Sequence, residues 1–151
     1  MNNNRKLVTI LMADDDADDR MITREALEEA GLANDLHMVE DGEELMDYLH
    51  HRGKYSNGVS SPRPSLILLD LNMPKKDGRE ALREIKNHPD LRRIPVVVFT
   101  TSKAATDISS SYDLGVNSYM TKPTKFSSLV EAVKGLGKYW FEMVELPPKE
   151  L

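Results

Sequence analysis

Three aspartates in a row, Asp14-Asp15-Asp16, follow the apolar run Leu7-Val8-Thr9-Ile10-Leu11-Met12-Ala13. Asp70 follows Leu66-Ile67-Leu68-Leu69, and Thr100-Thr101 follow Pro95-Val96-Val97-Val98-Phe99. Lys122-Pro123 follow a short expected strand, Val116 to Met120. Carboxylates, hydroxyls and one ammonium, each at or just past the end of an expected strand, suit a hard divalent cation and a phosphoryl group. Clustered carboxylates repel one another, so they must take up protons or hold a cation. Mg²⁺ is matched by one or two carboxylates plus water and phosphate oxygens. A phosphoryl group moving onto a carboxylate carries negative charge on its equatorial oxygens. A metal, an ammonium such as Lys122 and a hydroxyl such as Thr100 stabilise that charge. Asp70 is then the nucleophile, and the product is an acyl phosphate.

These residues need a scaffold that brings strand ends together. The short, continuous apolar runs are the pattern of strands buried on both faces. Helical patterns alternate with them. Asp16 can cap the first helix, which carries Ile22, Ala26 and Ala30 on one face and stops at Gly31. Leu36-His37-Met38-Val39 is a weaker strand. Asp41 with Glu44, and Asp77 with Glu80, have capping-box spacing at the second and third helices. His88-Pro89 ends the third. Residues 53–65, with two glycines, two prolines and four serines, read as a loop. A poor helix is expected near 104–114 and a long last one from about 125. Five βα units in succession imply a parallel sheet with helices on both faces, whose ligands bind at the carboxyl ends of the strands.

Composition narrows the function. A chain of 151 residues fits one domain. Its 20 Lys+Arg against 25 Asp+Glu give a formal charge of -5, which speaks against a nucleic-acid partner. Cysteine is absent, which excludes thiolate chemistry and a disulfide framework. No apolar run approaches the roughly 20 residues of a membrane-spanning helix, and the acidic cluster after Ala13 does not read as a signal-peptide cleavage site. The expectation is a cytoplasmic protein without a membrane partner. An EF-hand reading of Asp14, Asp16, Asp18 and Glu25 fails because Asp19 stands where the loop requires glycine.

Asp14-Asp15, Asp70 in Leu69-Asp70-Leu71-Asn72-Met73-Pro74, Asp77-Gly78, Thr100 and Lys122-Pro123 together resemble the receiver domain of two-component response regulators. The resemblance spans residues 7–137. It implies an α/β, flavodoxin-like doubly wound (βα)5 fold with strand order 2-1-3-4-5 and an extended C-terminal helix. It also implies that Asp70 accepts a phosphoryl group from a sensor histidine kinase. Asp14, Asp15, Asp70 and the backbone carbonyl of Asn72 would hold Mg²⁺. Lys122 would pair with the phosphoryl group, its bond to Pro123 being cis. Thr100 and Tyr119 would act as switch residues, and Asn72 and Ser102 would tune dephosphorylation. The segments His51–Tyr55, Leu71–Glu80, Ile94–Ser102 and Lys138–Pro147 are similar to single-domain regulators paired with phytochrome kinases, so a bacterial phytochrome is the implied partner. Output would then pass through protein contact or phosphorelay. The alternative class is a Mg²⁺-dependent phosphohydrolase with an aspartyl nucleophile, for which 53–65 is a poor cap.

Phe126, Leu129, Val133, Leu136 and Trp140 fall at helical spacing. The cluster Tyr139-Trp140-Phe141 lies in an extension, 138–151, where one domain is expected to have little core left. A homodimer through Phe126, Val133, Tyr139, Trp140 and Phe141 is therefore expected.

Overall fold

The structure, a computed structural model, describes residues 8–148. Leu7, at the expected start of the first strand, and residues 149–151 of the extension lie outside the described residues. Five parallel strands, β1 (Ile10–Ala13), β2 (Leu36–Val39), β3 (Leu66–Leu69), β4 (Val96–Thr100) and β5 (Ser118–Thr121), form one sheet. Their order is β2-β1-β3-β4-β5. Five helices alternate with them: α1 (Ala17–Glu29), α2 (Gly42–His50), α3 (Gly78–Asn87), α4 (Ala105–Asp113) and α5 (Phe126–Lys138). The expected class and strand order hold.

The strands are apolar throughout because both faces are covered. Leu11, Ala13, Ile67, Leu69, Val96 and Val98 face Leu45, Met46 and Leu49 of α2 and Ala81, Leu82 and Ile85 of α3. Ile10, Met12, Leu66, Leu68, Val97 and Phe99 face Ala26 and Leu27 of α1 and Leu129, Val133 and Leu136 of α5. The alternation follows from the period of two along each strand. Register keeps it aligned across the sheet, with Ile10 opposite Leu66 and Ala13 opposite Leu69. That second pair sets Asp14 and Asp70 side by side at the carboxyl edge.

The first three helices start at the aspartates the sequence marks, but the bonds at α2 and α3 are not those of a full capping box. The Asp16 carboxylate accepts from Asp18 N–H and Asp19 N–H, 2.9 and 3.0 Å. Asp41 accepts from Glu44 N–H at 2.7 Å, while Glu44 reaches back to Glu40 N–H, one residue before the cap. Asp77 caps α3 by accepting from Arg79 N–H at 2.7 Å. Residues 53–65 hold a single turn of 3₁₀ helix, Gly53–Tyr55. The loop is fastened to α2: Tyr48 Oη donates to the Pro62 carbonyl at 2.8 Å. It joins the end of α2 to the amino end of β3, opposite Asp70, so it cannot cap the acidic cluster.

The extension is where expectation and structure part. The stripe on α5 faces the domain's own sheet, and Val133 is 1 % exposed. A side chain so placed has no surface left for a second copy. Trp140 and Phe141, in a π-helical turn at Tyr139–Met143, also pack against the core under α1 and α5. Gly137 permits this approach, since a Cβ there would lie 2.5 Å from Leu32 Cδ1. Residues 145–148 then run beside Val8, Ser65 and Pro95 at the amino edge of the sheet. Phe126 and Tyr139 remain exposed, joined by Met143.

Candidate functional site

Asp14, Asp15, Asp70, Thr100 and Lys122 converge at the carboxyl edge, as their positions behind the strands lead one to expect. Asp14 and Thr100 are fully buried, and Asp70 keeps 8 % of its surface open. One oxygen each from Asp14, Asp15 and Asp70 lie within 4.8 Å of one another. Three converging carboxylate oxygens on an accessible edge match the donor preference of a hard divalent cation.

Asp70 is held at both oxygens. Thr100 Oγ1 donates to Oδ1 at 2.8 Å, and Asn72 N–H donates to the same atom at 3.3 Å. Lys122 Nζ donates to Oδ2 at 3.2 Å. The same ammonium donates to Asp14 Oδ2 at 2.5 Å and reaches Asp19 Oδ2 at 3.5 Å. The other oxygen of Asp14 accepts from Asp16 N–H at 2.9 Å. Among the described residues no buried side-chain polar atom lacks a partner.

Burial shapes the charges. Desolvation raises the Asp14 pKa above the ordinary carboxylate value, although Lys122 and the Asp16 N–H pull the other way. For Lys122, burial pulls the pKa down, but the hydrogen bond to Asp14 and the charge of Asp70 outweigh it and hold the ammonium above its usual value. Lys122 is therefore a fixed cation among carboxylates, ready to meet anionic phosphoryl oxygens.

Backbone fit matters as much. Gly78 opens α3 against the site loop, and a Cβ there would lie 2.2 Å from the Asp70 carbonyl oxygen. Only glycine allows α3 to start so close to Asp70. Lys122 N–H donates to the Thr100 carbonyl at 2.8 Å, which sets the depth of the lysine. The Lys122–Pro123 bond, expected cis, is trans, and no peptide bond among the described residues is cis. Here β5 pairing places the lysine.

Tyr119 is half-buried against the core, and its hydroxyl donates to the Ser102 carbonyl at 2.9 Å. Asn72 is exposed, as its position at the mouth requires. Three residues at this edge carry no sequence signal. Arg20 Nη1 donates to the Asp14 carbonyl at 2.8 Å. Arg79 forms a two-bond fork with Asp107, 2.9 Å in each arm. Neither partner's spacing announces the other, because they meet only once α3 and α4 are folded.

A five-stranded doubly wound sheet in the order 2-1-3-4-5 with this acidic edge is the architecture of a receiver domain. The chain belongs to the response regulator receiver domain family, which it matches over residues 10–134. It is 48% identical over 140 residues to the response regulator Rcp1 of Synechocystis, covering 93% of this chain and 92% of that one. Among solved structures it resembles the Mn²⁺-bound form of Rcp1, at 46% identity and a TM-score of 0.84, covering 93% of this chain and 99% of that one. It also resembles the phosphorylated cyanobacterial phytochrome response regulator RcpA, at 45% identity and a TM-score of 0.87, covering 95% and 100%. No helix among the described residues is long and apolar enough to cross a membrane.

Proposed function

We propose that Asp70 accepts a phosphoryl group from the phosphohistidine of a sensor kinase, a bacterial phytochrome, in a Mg²⁺-dependent step in the cytoplasm. The observation that carries this reading is the convergence of Asp14, Asp15 and Asp70 with Thr100 and Lys122 at one edge. An Asp70 oxygen forms the new O–P bond as the P–N bond breaks, and the departing imidazole takes up a proton. Lys122 and Thr100 meet the developing charge on the phosphoryl oxygens. Asp14, Asp15, Asp70 and the Asn72 carbonyl would hold Mg²⁺, which would supply positive charge against the phosphoryl oxygens. Likeness to RcpA, a cyanobacterial phytochrome response regulator, and to the Mn²⁺-bound form of Rcp1 supports the phytochrome pairing and a divalent cation. Thr100 and Tyr119 carry the change outward, because both are tied to the loop after β4. No observation favours the phosphohydrolase, since the loop 53–65 lies at the other edge. Phosphorylation by acetyl phosphate tests the reading. One phosphoryl group per chain is expected with Mg²⁺ and almost none after chelation; uptake indifferent to Mg²⁺ would count against it.

The receiver unit is assigned to residues 7–137 and the extension to 138–151. Self-association through that extension is the second part of the proposal, carried by the exposed side chains of Tyr139 and Met143 in the π-helical turn, with Phe126 exposed at the far end of α5. Half-buried Trp140 and Phe141 brace this patch. Tyr139→Arg places a charge in the patch without emptying the core. Light scattering should report a dimer for the parent protein and a monomer for the variant. Equal masses for the two would remove Tyr139 from any interface.

A further inference from the structure

The Arg79 guanidinium lies between the two loops that flank Asp70. Its Nε and Nη2 donate to the two oxygens of Asp107 in the first turn of α4. Its Nη1 donates to both oxygens of Asp77 at 3.2 Å, to Asn72 Oδ1 at 3.4 Å and to the Leu71 carbonyl at 3.5 Å. Asp107 Oδ2 in turn accepts from Ser102 Oγ at 2.7 Å, and the Ser102 carbonyl accepts from Tyr119. One planar cation thus joins the loop after β3, which leaves Asp70, to the loop after β4, which leaves Thr100. The fork is sheltered, with Arg79 and Asp107 side chains 34% and 17% exposed. Bidentate arginine–carboxylate pairs hold geometry as well as charge.

We propose that Arg79 is a positioning residue for the lifetime of the phosphoryl group on Asp70, acting through Asp107 and Asn72 to keep the mouth of the site closed to water. The inference rests on Asp70 being the acceptor. Hydrolysis forms a bond from a water oxygen to phosphorus and breaks the bond from phosphorus to Asp70. The carboxylate leaves, and the water proton passes to solvent as inorganic phosphate forms. The water must approach from the side of phosphorus away from Asp70; exposed Asn72, two residues from the acceptor, donates its N–H to Asp70 Oδ1 and meets Arg79 through its side chain. Without the fork, the Thr100–Asp70 and Tyr119–Ser102 bonds still hold the strand ends, but the loop after β3 loses its tie to α4 and the opening widens. Uptake is spared, because Arg79 contacts neither Asp14 nor Lys122.

The test compares two rates in the full chain charged with acetyl phosphate and Mg²⁺: uptake, and loss after the donor is removed. Arg79→Ala and Asp107→Ala should each speed loss roughly three- to tenfold, the size of coupling that side-chain networks transmit, with uptake unchanged. The double variant should lose its phosphoryl group no faster than either single one, because both remove the same fork. Arg79→Lys, which keeps the charge but not the planar fork, should also be fast. Loss within twofold of the parent in both single variants overturns the proposal. So does a parallel fall in uptake, which marks general damage to the fold. If the parent gains no phosphoryl group, the acceptor assignment fails and this inference falls with it; if it gains one with loss unaltered in the variants, only the inference fails.

Discussion

Lys122→Met should slow phosphoryl uptake from acetyl phosphate by about 10²–10³-fold, the usual cost of removing one preorganised charge stabiliser. Methionine keeps the apolar stem of lysine but has no ammonium to donate to Asp70 Oδ2. The three carboxylates remain, so Mg²⁺ should still bind in a titration followed by calorimetry. Loss of the transfer step with retention of the metal separates the role of Lys122 from that of the acidic residues. A stability effect accompanies it. Lys122 is nearly enclosed, and removing one partner of a buried ion pair costs roughly 3–5 kcal/mol, so the melting temperature without metal should fall at neutral pH. The ammonium's pKa is raised by folding, so its stabilisation is fully present below the unfolded lysine value. It is lost as pH rises through the higher folded one. The deficit of the variant should therefore shrink in strongly alkaline buffer. Uptake at the parent rate would show that the ammonium does not meet the phosphoryl oxygens.

Asp14→Asn should remove most of the Mg²⁺ dependence. Changing even the outer partners of a metal site costs about 10–100-fold in affinity or activity, and loss of a direct carboxylate ligand should cost at least as much. The parent protein should melt higher when Mg²⁺ is added, because the cation relieves repulsion among Asp14, Asp15 and Asp70; the variant should show little of that rise. Burial raises the Asp14 pKa, so the native state takes up this proton more readily than the unfolded chain does. Without metal, stability therefore declines as pH climbs from the unfolded value of 3.8 through the raised folded one. Mg²⁺ displaces the same proton, so its affinity should weaken across that window as pH falls. Both slopes should flatten in Asp14→Asn. An unchanged Mg²⁺-dependent melting shift in the variant would remove Asp14 from the metal site.

The residues that were legible in the sequence are those whose meaning is local. A run such as Leu66–Leu69 is apolar at every position because a parallel strand is covered on both sides, and the residue behind it falls at the carboxyl edge. Asp14, Asp70 and Thr100 could be placed by that rule, whereas Lys122 follows the polar, half-buried strand Ser118–Thr121. Asp16, Asp41 and Asp77 announced helix starts because capping is a bond over two or three residues. What the sequence alone leaves open lies where contacts are distant. Val133 and Trp140 carry the same periodicity whether they meet a second copy or the chain's own sheet, and only the packing of α5 beside α1 decides. Arg79 and Asp107 are ordinary charged helix residues in sequence, and their fork exists because β3, β4 and their helices are neighbours.

Asp70 as the phosphoryl acceptor is tested most directly by intact mass after incubation with acetyl phosphate and Mg²⁺. The parent chain is predicted to gain a single phosphoryl group that survives acid and is lost in base, and Asp70→Asn to gain none. A phosphoryl group of the same lability on Asp70→Asn would contradict the assignment.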